Sequence, residues 1–420
     1  MGKSGAGDGA GIVRVLVDNG DYDLHDRGVI AAMTITVERL RALWPHARIG
    51  VLTEQPHVLR ALLPDAEPIV PSTGGQWGKG GVAGRIDQVA AVKLIGPAAL
   101  HWRAATEVPA QRLRGLRERA RSQVRARINS GWEPRDSGLA PLPTVPAAVT
   151  TASLVLALGG DYLCDERRTT AHRTLNLLED AQRLGIPTVL LGQGMGPIAD
   201  PELLRRAAEV LPRADLIAVR ENLRTPALLA ALGVTPERVL LTGDDAIEFG
   251  YRTRRPEIAG DLGVCRHTMP LLANEPRVRP VLGRTDTAQE VARRVTRCRV
   301  LLTDAYHLAV LALSQGIPAV AVTGSGAADD KFRGLADMFE SDATGAGLRI
   351  VHLGADDFDT ELTRAIGELW ESAPELRDTL QQRAVEQIDA GRAALERVRG
   401  LVAAGSAGRP VASATAAQGT

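Results

Sequence analysis

The stretch AHRTLNLLEDAQRLGIPTVLLGQGMGP, residues 171–197, decides the fold. Ala171–Leu184 spaces its apolar side chains at the helical period. Gly185 followed by Ile186 and Pro187 marks a helix that closes in a left-handed residue and feeds the next element. Pro187–Gly192 is apolar nearly throughout, as strands covered on both faces of a parallel sheet read. One helix, one tight turn and one buried strand in 27 residues make half of a βαβ unit.

The same alternation extends outward on both sides. Strand-like runs are Ile12–Val17, Ile49–Thr53, Ser153–Leu158, Asp215–Val219 and Arg238–Thr242, with helical patterns at Arg27–Trp44, Pro201–Leu211 and Thr225–Leu232. A polar, proline-containing stretch, Phe249–Gly260, then precedes a second series. Its strands are Gly263–Cys265, Arg279–Leu282, Arg299–Thr303, Pro318–Thr323 and Leu348–Leu353; its helices are Thr287–Arg297, Ala305–Gln315 and Asp329–Met338. The expected organisation is a disordered 1–10, a first α/β domain over 11–250, a linker at 251–259, a second α/β domain with closing helices over 260–404, and a disordered tail at 405–420. Two doubly wound halves place a ligand cleft between them.

Composition narrows the function classes. With 50 Lys+Arg against 50 Asp+Glu the formal net charge is zero, so nucleic acid is not an expected partner. Three cysteines, Cys164, Cys265 and Cys298, sit far apart without metal-ligand spacing. That predicts no metal site and a reducing cytoplasm. No apolar run reaches membrane-spanning length, and MGKSGAGDGAG lacks the apolar core of a secretory signal. One segment belongs to neither series: 98–130, whose part 98–127 carries eight arginines from Arg103 to Arg127. It reads as a solvated helical hairpin inserted in the first domain, or as a face for an anionic membrane or a phosphate-rich substrate.

Five constellations carry chemistry. Gly159-Gly160-Asp161 follows a buried strand and reads as a sharp turn offering bare N–H groups to a ligand. Gly192-Gln193-Gly194-Met195-Gly196-Pro197 reads as a loop of N–H donors that takes a carboxylate or phosphate. Arg220 ends a strand, where a planar cationic fork suits the same anions. Asp244-Asp245 follows another strand, as a general base or as a helix cap. Strongest is Thr303-Asp304-Ala305-Tyr306-His307, which puts His307 in the first turn of a helix, directed at the cleft and suited to acid/base work. Ser325 and Lys331, after the next strand, are candidates to hold phosphate oxygens. The acids Asp21, Asp23 and Asp26 read as solvated loop residues rather than metal ligands.

Taken together, GGD at 159–161, GQGMGP at 192–197, ADLIAVRE at 214–221, TGDDA at 242–246 and YHLAVLALSQGIPAVAV from Tyr306 resemble the polysaccharide pyruvyl transferase family. The resemblance implies two Rossmann-like domains in a GT-B arrangement. It also implies transfer of pyruvate from phosphoenolpyruvate to two hydroxyls of a saccharide or glycosylated small molecule as a ketal, with no further cofactor. By position, His307 matches the family histidine at the donor, Arg220 a donor-binding arginine and Lys331 a basic residue of the last cleft loop. Catalysis then falls to His307 with a carboxylate base, Asp161, Asp245 or an acid of the 21–26 loop. Substrate binding falls to Arg220, Lys331, Gly160, Gln193, Gly194, Ser325 and Tyr306. Two alternatives share the fold: a GT-B glycosyltransferase using a nucleotide sugar, and a non-catalytic carbohydrate- or phosphate-binding relative. Ala305, where the family often has arginine, is the feature that favours the last.

Overall fold

A computed structural model describes residues 12–78, 98–100 and 145–408, apart from 258, 266–267, 269–271, 273–275, 284–285, 325 and 341–346. The first series comprises β1 (Arg14–Asp18), α1 (Arg27–Leu43), β2 (Arg48–Leu52), α2 (Pro56–Leu62), β3 (Glu67–Ile69), β4 (Leu154–Ala157), β5 (Gly160–Leu163), α3 (Arg168–Arg183), β6 (Thr188–Met195), α4 (Pro201–Val210), β7 (Leu216–Val219), α5 (Thr225–Ala231), β8 (Val239–Leu241) and α6 (Ala246–Thr253). The second comprises β9 (Asp261–Val264), β10 (Val278–Pro280), α7 (Ala288–Val295), β11 (Cys298–Thr303), α8 (Tyr306–Ser314), β12 (Ala319–Thr323), α9 (Gly326–Phe339), β13 (Leu348–His352) and α10 (Phe358–Gly408).

The first sheet runs β3-β2-β1-β4-β6-β7-β8, with β5 added beside β6; the second runs β10-β9-β11-β12-β13. Every pairing in both is parallel. Central strands such as β4 and β7 bury every residue, which is why they read as continuous apolar runs. The short elements α2, β3 and β5 carried too little pattern to be expected from sequence, and α6 runs on to Thr253, so the first residues of the expected connection are helical.

The domains share one core. Buried residues of α1, α6 and α8 form a single cluster with those of the second sheet. Helix α8 is apolar on all sides, with Leu308–Ser314 all buried, because it packs against α6 as well as α7, α9 and α10. Helix α10 has 51 residues, about 77 Å at the helical rise, so it crosses both domains. It leaves the second sheet, passes α6 and α1, and brings Gly405 against Pro187 of the first domain. That packing keeps residues 405–408 helical, where a disordered tail was expected. The rest of the tail, residues 1–11 and the basic segment beyond residue 100 lie outside the described residues. No described helix is long and apolar enough to cross a membrane.

Candidate active site

At the carboxyl ends of the strands, between the domains, lies a cavity of about 330 Å³. His307 enters it from the first turn of α8, with Nδ1 3.4 Å from Asp26 Oδ1 and Nε2 3.9 Å from Asp244 Oδ2. Asp26 is the N-cap of α1, where Oδ1 accepts from the N–H groups of Gly28 (2.8 Å) and Val29 (3.2 Å). Although its side chain keeps 44% of its surface exposed, the enclosure of this carboxyl by the cavity works against its charge. The His307 ring and those two N–H groups outweigh burial, and Asp26 lies below the usual carboxylate range.

Gly28 is the reason the ring fits. A Cβ on Gly28 would lie 1.9 Å from His307 Cγ and 2.2 Å from Nδ1, so a bare α-carbon of the first domain is what lets the imidazole of the second come in. A glycine in a helix costs up to about 1 kcal/mol relative to alanine, and close packing against the His307 ring accounts for it here.

Arg220 follows β7 and is almost wholly buried. Its guanidinium stacks 4.2 Å from the centre of the Tyr306 ring, and its Nη1 lies 3.4 Å from Asp244 Oδ2. Burial opposes its charge, but Tyr306, Asp244, Asp161 and Glu221 more than offset that, and its pKa is raised further. Burial likewise pushes the Tyr306 phenol up. Gly194 makes room for the guanidinium, since a Cβ there would sit 2.6 Å from Arg220 Nε. Asp161, on β5, forms an ion pair with Lys331 of α9. Although burial raises it, Arg220, Lys331 and His307 together hold this carboxyl far below its ordinary value. Asp161 and Arg220 line both the cavity and a smaller recess beside it, which Gly194 and Lys331 also line.

Several expected roles change. Gly159-Gly160-Asp161 is no open turn: Gly160–Leu163 is strand β5, pairing with β6. Gly159 is needed because a Cβ there would lie 2.5 Å from the carbonyl oxygen of Gly192. The GQGMGP segment is likewise no anion nest, because β6 runs on through Met195 and its N–H groups are used internally. Met195 N–H donates to Thr225 Oγ1 and Gly196 N–H to Leu163 O. Gln193 is fully buried, its Nε2 donating to the carbonyls of Ala157 and Leu158 and to Tyr162 Oη. Gln193 and Gly160 therefore brace the sheet behind the cavity.

Asp245 is also out of the site. It accepts from Arg39 Nη1 at 2.7 Å and from Thr36 Oγ1 at 3.2 Å, inside a buried cluster that also holds Glu248. Asp244 is the member of the pair that turns inward. Asp21 caps the loop, its Oδ2 accepting from the N–H groups of His25 and Asp26. Ser325 lies outside the described residues. Sequence reading missed His25, Arg27 and Arg167, which line the cavity as well. Arg27 reaches across to the second domain, where Nε donates to the Asp286 carbonyl at 2.8 Å. Its position at the start of α1, beside the Asp26 cap, was the available signal.

Two parallel α/β domains with a cavity at their junction make the GT-B architecture. The sequence profile of the polysaccharide pyruvyl transferase family matches residues 31–326, and the chain belongs to that family. The match includes Asp161, Arg220, Asp244 and His307 but neither Asp26 nor Lys331. Among solved structures, a Listeria monocytogenes protein assigned as a UDP-N-acetylglucosamine 2-epimerase is 13% identical over 93% of this chain and 96% of its own, with a TM-score of 0.51, which establishes the common fold. The Neisseria meningitidis UDP-GlcNAc 2-epimerase bound to UDP-GlcNAc is 9% identical over 92% of this chain and 99% of its own, with a TM-score of 0.49. The kitacinnamycin glycotransferase is 12% identical over 92% and 99%, with a TM-score of 0.47. No curated protein matches the chain in sequence.

Proposed function

We propose that the protein transfers pyruvate from phosphoenolpyruvate to two hydroxyls of a saccharide or glycosylated acceptor, forming a cyclic ketal and releasing phosphate. The observation that carries this reading is His307, held between two carboxylates beside a buried arginine, at the junction of the domains. Family membership supports the reaction class. In this reading Arg220 holds a donor anion, with the cavity cations Arg27 and Arg167 near by.

His307 gives its proton to the donor's methylene carbon as the first hydroxyl oxygen bonds to C2 and passes its own proton to Asp26. Asp161, locked between cations, and Asp245, turned away, are poorer bases. The bond from C2 to the phosphate oxygen then breaks, the electron pair leaving with phosphate, which takes the proton back from Asp26 and so restores that carboxylate. The second hydroxyl oxygen closes the ketal and its proton restores His307. Charge developing on the leaving phosphate meets cations already in place, the arrangement in which preorganised electrostatics contributes most.

The test is incubation with phosphoenolpyruvate and a panel of glycosides, read by mass spectrometry and by phosphate release. A ketal on one acceptor with equimolar phosphate is the expected result. Nucleotide-sugar transfer to the same acceptors, with phosphoenolpyruvate untouched, would overturn it.

A further inference from the structure

The cavity has two unlike walls. Polar and charged lining comes from His25, Asp26, Arg27, Asp161, Arg167, Arg220 and His307, and aliphatic lining from Leu282, Ala288, Val291, Ala305, Leu308 and Leu311 of the second domain. The apolar wall is made by the β10–α7 connection and the cavity-side ends of α7 and α8. Leu308, Leu311, Val291 and Ala288 are buried in the shared core, while Leu282 and Ala305 are half-buried at the cavity surface.

Phosphoenolpyruvate has no surface for such a wall. It carries a phosphate and a carboxylate around three carbons, and moving charged oxygens against aliphatic side chains costs hydration without return. The single methyl created in the ketal covers one such side chain, and both Leu282 and Ala305 show at the cavity surface. A pyranose ring does not match it either, being ringed with hydroxyls. The Tyr306 ring, which lines the cavity, is already stacked on Arg220 and packed against His307 and Phe332.

We infer that the apolar wall is a subsite for a non-polar group attached to the acceptor sugar, so that the substrate is a glycoside with an aliphatic or aryl aglycone. The inference rests on the proposed reaction only in calling that ligand the acceptor; its binding needs no turnover. The half-buried Leu282 is the wall residue that reads the aglycone, because it lines the cavity without being sunk in the core.

Calorimetric titration with methyl, propyl and butyl glycosides of glucose, galactose and mannose, without phosphoenolpyruvate, tests it. Affinity should rise by up to about fourfold for each added methylene, for at least one sugar series. Leu282→Asn should flatten that dependence, and Leu282→Ala should weaken it, with phosphoenolpyruvate binding unchanged in both. If the butyl glycosides bind no tighter than the methyl ones, if none binds, or if the chain-length dependence persists in both variants, the inference is wrong. Chain-length-dependent binding with no ketal formed would instead keep this subsite and remove the proposed reaction.

Discussion

Replacing Gly28 by alanine separates helix stability from site geometry. The added Cβ would stand 1.9 Å from His307 Cγ and 2.3 Å from His307 Cβ. A side-chain rotation cannot relieve a clash with Cβ, so α1 and α8 must separate. Reaching ordinary contact at 3.4 Å moves the imidazole by about 1.5 Å. Alanine is the better helix former by about 1 kcal/mol, while overpacking costs about 1–3 kcal/mol. The gain is an upper bound in the first turn, which leaves a net cost of about 1–3 kcal/mol, so Tm should fall by only a few degrees. Catalysis has no such compensation: a misplacement of about 1 Å costs on the order of 100-fold, and the His307 contact with Asp26 goes with it. Phosphate release should therefore drop by about 100-fold, mainly in kcat, with the fold intact. Gly367, exposed in α10 with open space where its Cβ would lie, is the control. Gly367→Ala should raise stability by up to about 1 kcal/mol and leave activity alone. If Gly28→Ala loses less than about tenfold, the imidazole is not acting from the position described.

Two further outcomes are expected. His307→Ala should lower kcat for phosphate release by about 10²–10⁴-fold with little change in Tm; an activity near that of the parent would remove the ring from the mechanism. Glu248 carries an acid-stability signature. Burial opposes its charge, yet Arg39, Arg392 and Arg252 pull its pKa down from 4.5 to about 2. Its folded value lies below its unfolded one, so its contribution is complete above 4.5 and disappears as pH falls toward 2. That amounts to about 3 kcal/mol, an order-of-magnitude figure. Denaturant titrations of Glu248→Gln should show a deficit at neutral pH that narrows across that window, and a deficit independent of pH would contradict it.

The βαβ rhythm was readable because two-sided burial writes itself as unbroken apolar runs, and the helices carrying His307 and Lys331 begin within a few residues of their expected starts. What could not be read was the direction of side chains where the chain turns. Asp244 and Asp245 are adjacent and chemically identical, yet one reaches the imidazole and the other the Arg39 guanidinium. Partners far away in sequence decide between them: His307 of the second domain for Asp244, and Arg39 of α1 for Asp245. Gln193 in a glycine run looks like a ligand contact, but its neighbours are strand carbonyls that need a donor. The apolar wall was hidden for a similar reason. Val291, Leu308 and Leu311 satisfy the helical period of core residues, and nothing in that period distinguishes a side chain that also borders a cavity.

Glycine in this site serves proximity more than N–H donation, and that bears on how the site is assembled. Gly28 admits His307 and Gly194 admits Arg220, so both side chains sit in gaps left by a missing Cβ on a neighbouring segment. Such gaps are useful only if the neighbours stay put. The first and second domains meet here through α1, α6 and α8, whose buried side chains belong to one apolar cluster. The Arg39 cluster with Asp245 and Glu248 links α1 to α6, and Glu248 reaches on to Arg392 of α10. Domains in one chain move freely when their interface is small and polar; this one is continuous with the core. A hinge closing two independent lobes would have to expose that cluster at each opening. The imidazole, its two carboxylates and the buried arginine are therefore preassembled in the resting protein, and substrate enters a site whose charges are already in position.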